Sequence, residues 1–331
     1  MQTLQSPTRP RSIDQLLDPR LVSRLSQLDV TSRKILAGKL KGERRSKRRG
    51  QSVEFADHRL YVPGDDLRHI DWNIFGRLDR LFLKLFLEEE DLGLHVVLDA
   101  SRSHDAGEPS KWLFMQRLAC ALGYVALSNL HRLTVWSMAG ASITLSERAG
   151  APDEPPEAGR GEPEPERPVV SAVRDLRGRR RLADLARFLL GQEPMGVASF
   201  TEAAKRIALA RRGKGVMVVL SDFFIKEGYQ DGLRLLAGRG FDLFAVQVLS
   251  PQEVEPTLGG DLRLRDCEDG DLADVTITAP LLARYKQTLA AYSARLRDFC
   301  ARRDVTLQVM RSDTPVESAL LDHFRRRGLL A

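Results

Sequence analysis

Apolar positions along this chain fall into two recurring patterns. Dense apolar runs, bounded by Gly or polar loops, occur at residues 94–98, 216–220 and 241–249, interrupted only by His95, Asp242 and Gln247. They predict strands buried on both faces. Between them, apolar residues recur three and four apart. Phe114, Leu118, Ala121, Leu122 and Val125 follow a capping Ser110, and Leu182, Leu185, Ala186 and Leu189 form a second set. Ala203, Ala204, Ile207 and Ala208 follow Ser199-Phe-Thr-Glu, the form of a capping box. Residues 231–236 read as a helix stopped near Gly238, and Leu282, Tyr285, Leu289, Tyr292, Leu296 and Phe299 mark a long amphipathic one. Further strands are predicted at 132–138, with 142–146 as a hairpin partner, and at 305–310. Residues 261–278 carry an Asp269-Gly270 turn and read as a hairpin. Thr314-Pro-Val-Glu is expected to cap a last helix that ends at Gly328. Strand and helix alternate from Leu94 onward, so the expected fold is α/β: a mostly parallel sheet with helices on both faces.

Upstream the pattern is shorter. Leu16, Leu17, Leu21, Leu25 and Leu28, then Ile35, Leu36 and Leu40, give helical spacings broken at Pro19. Residues 53–61 and 81–87 read as strands, joined through a Pro63-Gly64 turn and a short polar helix or turn over 66–72. Two stretches lack the apolar residues to order themselves. Residues 1–11 are polar with two prolines, and residues 150–168 hold 6 prolines and 6 acids in 19 positions. Both are expected to be disordered, the second as a mobile insertion. The domain reading is therefore a basic extension over 1–49, a subdomain over 50–91 packed on the main domain, and the main α/β domain over 92–331.

Charge changes the picture only locally. The net charge of +6 is a property of the first 50 residues, which hold 13 Lys and Arg against 4 acids; the remaining residues hold 38 against 41. Seven of those bases crowd residues 39–49, a run that could meet nucleic acid or an acidic surface. It contains no aromatic residue for base stacking, which weighs against nucleic acid. The three cysteines are far apart and odd in number, without a Cys-x-x-Cys pair, and no apolar run approaches the ~20 residues of a membrane span. A cytoplasmic protein with reduced thiols is expected.

The candidate chemistry sits where the buried runs end. The first closes on Asp99, Ser101 and Ser103, alternate residues that share a side while the chain stays extended. The second closes on Ser221-Asp222, and the intervening loop offers Ser199 and Thr201. Ligands of open α/β sheets gather beyond such strand ends. A donor set rich in oxygen and poor in nitrogen and sulfur prefers Mg2+ or Mn2+ to zinc. Two carboxylates and neutral hydroxyls leave such an ion with a vacancy that a partner's carboxylate could fill. The competing enzyme reading is a metal-dependent phosphohydrolase, but Ser101 stands where aspartyl-phosphate chemistry wants a second Asp. There is no Gly-x-x-x-x-Gly-Lys loop and no Gly-x-Ser-x-Gly elbow. A third reading is nucleic-acid binding through the basic run. In the block from Glu54 to Trp72, the acids Asp65, Asp66 and Asp71 and His69 invite a metal reading, but Arg59, Arg68 and Arg77 favour a folded-in salt-bridge network.

Asp99-x-Ser101-x-Ser103 with a later Asp222 resembles the metal-ion-dependent adhesion site of von Willebrand factor A domains, with Ser199, and Thr201 two residues on, at the place of the family's Thr. The block Ser52-Val-Glu-Phe-Ala-x-x-Arg-x-Tyr-x-Pro-Gly-Asp-Asp-x-Arg-x-Ile-Asp-Trp resembles the signature of bacterial domain-of-unknown-function family fifty-eight, whose members carry a von Willebrand A-like domain. The likeness covers roughly residues 40–330. It implies a non-enzymatic adaptor with a Mg2+ site built from Asp99, Ser101, Ser103, Ser199, Thr201 and Asp222. The implied partners are a MoxR-type AAA+ ATPase and other von Willebrand A-like proteins. Many members carry two N-terminal membrane helices, which this chain lacks.

Overall fold

The computed structural model describes residues 9–32, 54–87, 92–139, 169–196, 199–210, 215–238, 241–267 and 271–331. The expected hairpin partner at 142–146, the insertion at 150–168, the helical spacing beyond Ile35 and the basic run at 39–49 lie outside them. The chain divides into two units, residues 1–37 with 92–331, and residues 38–91.

At the start of the larger unit, α1 (Ile13–Leu16) and α2 (Pro19–Leu25) are separated by Asp18, which caps α2 through the Arg20 N–H. Pro19 opens the second helix because the first helical position needs no N–H. Leu16, Leu17, Leu21, Leu25 and Leu28 are buried in the core of this unit. Residues 9–11 depart from the expected disorder. Arg9 is paired with Glu193 at 2.6 Å and Asp105 at 3.4 Å, an anchorage that composition does not show.

The smaller unit holds β1 (Glu54–Leu60), α3 (Trp72–Leu78) and β2 (Phe82–Leu87), with the two strands antiparallel. Asp65, Asp66 and Asp71 serve local structure. Asp65 takes both guanidinium nitrogens of Arg59, at 2.8 and 2.7 Å, and closes the Pro63-Gly64 turn by accepting the Val62 N–H. Gly64 sits at φ +104°, where a side chain would be strained. Asp66 caps the short turn that follows, and Asp71 caps α3 through the Asn73 and Ile74 N–H groups. Asp71 also meets His58 Nε2 at 3.0 Å and Lys84 Nζ at 3.4 Å.

In the larger unit, β3 (Gly93–Asp99), α4 (Lys111–Ser128), β4 (Arg132–Ala139), β5 (Val169–Leu176) and α5 (Leu182–Leu190) come first. Then follow α6 (Phe200–Ala210), β6 (Gly215–Ser221), α7 (Gln230–Ala237), β7 (Asp242–Leu249) and α8 (Pro251–Val254). An antiparallel hairpin, β8 (Gly260–Arg265) with β9 (Leu272–Ile277), precedes α9 (Ala279–Ala301) and β10 (Val305–Arg311). The last helix starts as α10 (Val316–Ser318) and continues in π geometry over Ala319–Phe324. Its N-terminus differs from expectation: Pro315 is the cap residue and no side chain caps it.

Six strands form one sheet in the order β10-β7-β6-β3-β4-β5, parallel except for the β4–β5 pair. Numbered among themselves in chain order, these strands run 3-2-1-4-5-6, the doubly wound arrangement. Alternate strand residues feed two cores. Leu94, Val96, Leu98, Val218 and Val246 pack with Leu118, Leu122 and Leu185 on one face. Val97, Val219 and Ala245 pack with Ala203, Ile207, Leu233 and Leu296 on the other. Where β3 and β6 start, Gly215 lies against Gly93; a Cβ on Gly215 would stand 1.9 Å from the Gly93 carbonyl oxygen, so only glycine permits the pairing. The antiparallel edge strand β5 was not among the expected elements. Its outward positions, Arg174 and Asp175 among them, dilute the apolar signal because an edge strand buries less.

Candidate functional site

The strand order reverses between β3 and β6, the two central strands whose following helices go to opposite faces. Loops diverge at such a point and leave a crevice beyond the carboxyl ends. Asp99 is the last residue of β3, Ser221 the last of β6, and Asp222 follows.

These residues form one buried network. Asp99 accepts from the Ser101 N–H at 3.1 Å through one oxygen and from the Ser221 hydroxyl at 2.7 Å through the other. Ser101 and Ser103 hydroxyls are 3.2 Å apart. Their meeting does not come from an extended chain, as the alternation had implied: Arg102–Asp105 is a 3-10 turn, and it folds Ser103 back toward Ser101. That turn also buries His104 completely, with Nδ1 2.8 Å from Ser101 Oγ and Nε2 3.1 Å from the Asp222 amide nitrogen. A backbone N–H can only donate, so Nε2 accepts, and the hydrogen-bond pattern assigns the ring proton to Nδ1. His104 therefore donates to Ser101.

Asp222 also meets a cation. Lys111, the first residue of α4, places Nζ 2.8 Å from Asp222 Oδ2 and 2.5 Å from Glu253 Oε1. The other oxygen of Asp222 accepts from the Phe224 N–H at 3.0 Å, and the other oxygen of Glu253 from the Ser250 N–H at 2.7 Å. Burial works against the charged form of Asp222, but the Lys111 ammonium and the Phe224 N–H hold its carboxyl below the usual range. Burial likewise opposes the Lys111 ammonium, and the two carboxylates outweigh it, so its pKa is raised. Between these partners the backbone is bent: Phe223 has φ +60°, a left-handed conformation that costs a bulky residue about 1–3 kcal/mol. It is held there by a ring packed on Phe200 and Tyr229 and by the Tyr292 hydroxyl donating to its carbonyl.

The structure thus brings together Asp99, Ser101, Ser103 and Asp222. Ser199 and Thr201 have their hydrogen bonds elsewhere. The Ser199 hydroxyl lies 3.1 and 3.2 Å from the two oxygens of Glu227, and the Thr201 N–H donates to the same carboxylate at 2.9 Å. Ser199 also accepts from the Glu202 N–H, the N-cap half of the expected box. His104, Lys111, Glu227 and Glu253 were not singled out from the sequence. Lys111 carried a signal, as a base opening a mostly apolar helix; His104 stands one residue past the serines.

A divalent ion fits this arrangement poorly. Mg2+ bonds oxygen at about 2.0–2.1 Å, so an ion on Asp222 Oδ2 would sit on the order of 4 Å from the ammonium. At an effective dielectric of about 20, the repulsion would be roughly 8 kcal/mol. Each Asp99 oxygen spends one lone pair on a hydrogen bond from within the chain. Among the described residues, no group of three or more His, Cys, Asp or Glu is arranged to hold a metal. No helix among the described residues is long and apolar enough to cross a membrane.

Known proteins bear on identity. Uncharacterized protein Mb1516 of Mycobacterium bovis is 26% identical over 321 residues, covering 95% of this chain and 92% of its own length. Uncharacterized protein Rv1480 of Mycobacterium tuberculosis matches to the same extent, and uncharacterized protein MAV169 of Mycobacterium avium is 32% identical over 142 residues, 42% of this chain and 83% of its own. Among solved structures, the conserved hypothetical protein BatB from Bacteroides thetaiotaomicron superposes with a TM-score of 0.35 at 14% identity, over 63% of this chain and 99% of that one. That likeness is too slight to carry an argument. The family described as "Protein of unknown function DUF58" matches residues 57–151 and 170–295, and the chain belongs to that family.

Proposed function

We propose that this chain is a non-enzymatic protein-binding module that presents the rim beyond β3 and β6 to a partner. The observation that carries the reading is the convergence of Asp99, Ser101, Ser103 and Asp222 beyond the carboxyl ends of β3 and β6, where the strand order reverses. A hydrolase would need Ser101 or a water activated by a base. His104 instead donates to Ser101 and has its second nitrogen engaged by a backbone N–H, so it is oriented to fix the loop rather than to take a proton. The partner class implied by the resemblance is a MoxR-type AAA+ ATPase, with other von Willebrand A-like proteins as further candidates. This reading keeps the adaptor role and sets aside the Mg2+ ion.

The test is biolayer interferometry of the full chain against a purified MoxR-type ATPase from the same organism. Ser103→Arg, which puts a long charged side chain on the rim, should weaken binding about tenfold or more, as disruption at an interface centre does. Lys205→Glu on the exposed side of α6 should leave it unchanged. Equal binding of the Ser103→Arg chain would remove the rim from the interface, and no binding by the wild type would remove the ATPase as partner. Turnover of p-nitrophenyl phosphate that is abolished by Asp99→Asn would replace the reading with an enzymatic one.

A further inference from the structure

We infer that Lys111 is the resident cation of this rim: its ammonium, bridging Asp222 and Glu253, neutralises the carboxylate that a divalent ion would need and leaves the rim to do without metal. The placement is a costly one for a lysine. Lys111 is 1% exposed and opens α4 just after the Ser110 cap, where the helix dipole is positive and disfavours a second positive charge. Burial adds to that cost. Only the two carboxylates offset it, and each is fixed independently by the backbone, Asp222 through the Phe224 N–H and Glu253 through the Ser250 capping box. The ammonium position is therefore defined from both sides, as a metal's would be. The three segments it joins are the start of α4, the residue that follows β6, and α8, the short helix after β7. A lysine does this without exchange, so the rim has a permanent rather than a conditional charge pattern. Partner recognition then proceeds without a metal coordination position for the partner to fill.

The inference rests on the proposed binding role only for what the rim does; the presence or absence of the ion is read without any partner. The experiment titrates Mn2+ into the full chain and follows free Mn2+ by electron paramagnetic resonance, with unfolding in EDTA and in Mg2+ as a second readout. Wild type should bind no Mn2+ below about 1 mM, and EDTA should not move its unfolding transition. Lys111→Met, which keeps the stem and deletes the charge, should tighten Mn2+ binding at least about tenfold, and adding Asp222→Asn should abolish the gain. One Mn2+ bound per wild-type chain at micromolar concentration, and lost in Asp222→Asn, would overturn the inference. So would a folded Lys111→Met chain that gains no Mn2+ affinity. If Lys111→Met fails to fold, the wild-type titration still decides, with Lys111→Arg expected to stay as indifferent to Mn2+ as the wild type.

Discussion

Removing the Lys111 charge is the sharpest perturbation of this protein. Its Nζ is 2.8 Å from Asp222, and both side chains are almost wholly withdrawn from water, at 1% and 5% exposure. Lys111→Met keeps most of the packing of the aliphatic stem but strands a buried carboxylate. Breaking a buried ion pair from one side costs about 3–5 kcal/mol, because the surviving charge has lost its partner and cannot regain water. Asp222→Asn should cost less, about 1–3 kcal/mol, since Lys111 retains Glu253, which is partly solvated. The double variant should cost less than the two singles together by about 2 kcal/mol, the coupling of the pair. The assay is urea unfolding of all four chains followed by tryptophan fluorescence, with Trp112 and Trp136 buried in the larger unit as reporters. The pH dependence has a definite sign. In wild type the Asp222 carboxyl is held below its ordinary 3.8, so its contribution is present above that value and is lost as pH falls through the lower folded value. Without Lys111, burial pushes the same carboxyl up. The variant's deficit should then be largest at neutral pH and shrink toward about pH 4 as Asp222 takes up a proton. A Lys111→Met deficit under about 1 kcal/mol, or a double variant whose loss equals the sum of the singles, would refute the account of the pair.

Two further outcomes follow from the same structure. Leu118 is fully buried on α4 against the sheet, so Leu118→Ala should destabilise the larger unit by about 2–5 kcal/mol in urea unfolding; a loss below about 1 kcal/mol would mean that the helix face is wrongly placed. In the smaller unit, the His58 hydrogen bond is the main cause holding the Asp71 carboxyl at about 2, so carbon-13 NMR should find it still ionised at pH 3 and released toward the ordinary range in His58→Gln. Its contribution to the stability of that unit is present above 3.8 and fades as pH falls through about 2; titration near 3.8 in the wild type would contradict the geometry.

What the sequence determined by itself was the layered α/β sheet and the strand ends on which chemistry could sit. A strand buried on both faces is mostly apolar, and a covering helix must be apolar every three or four residues, so 94–98, 216–220, 241–249 and the helices between them announce themselves locally. Capping has the same local origin, which is why Ser110 and Ser199 were legible as helix starts. Edge strand β5 was not, because an outward face tolerates Arg174 and Asp175 and erases the pattern. Only the tertiary structure decided which oxygen donors meet. Ser199 and Thr201 have the right chemistry for the rim, but Glu227, 28 and 26 residues further on, takes the Ser199 hydroxyl and the Thr201 backbone N–H. Lys111 lies 111 residues from Asp222 and 142 from Glu253. No spacing rule links such positions: the charge a buried carboxylate meets is set by the path of three separate segments over one sheet, and that path is a property of the packed core as a whole.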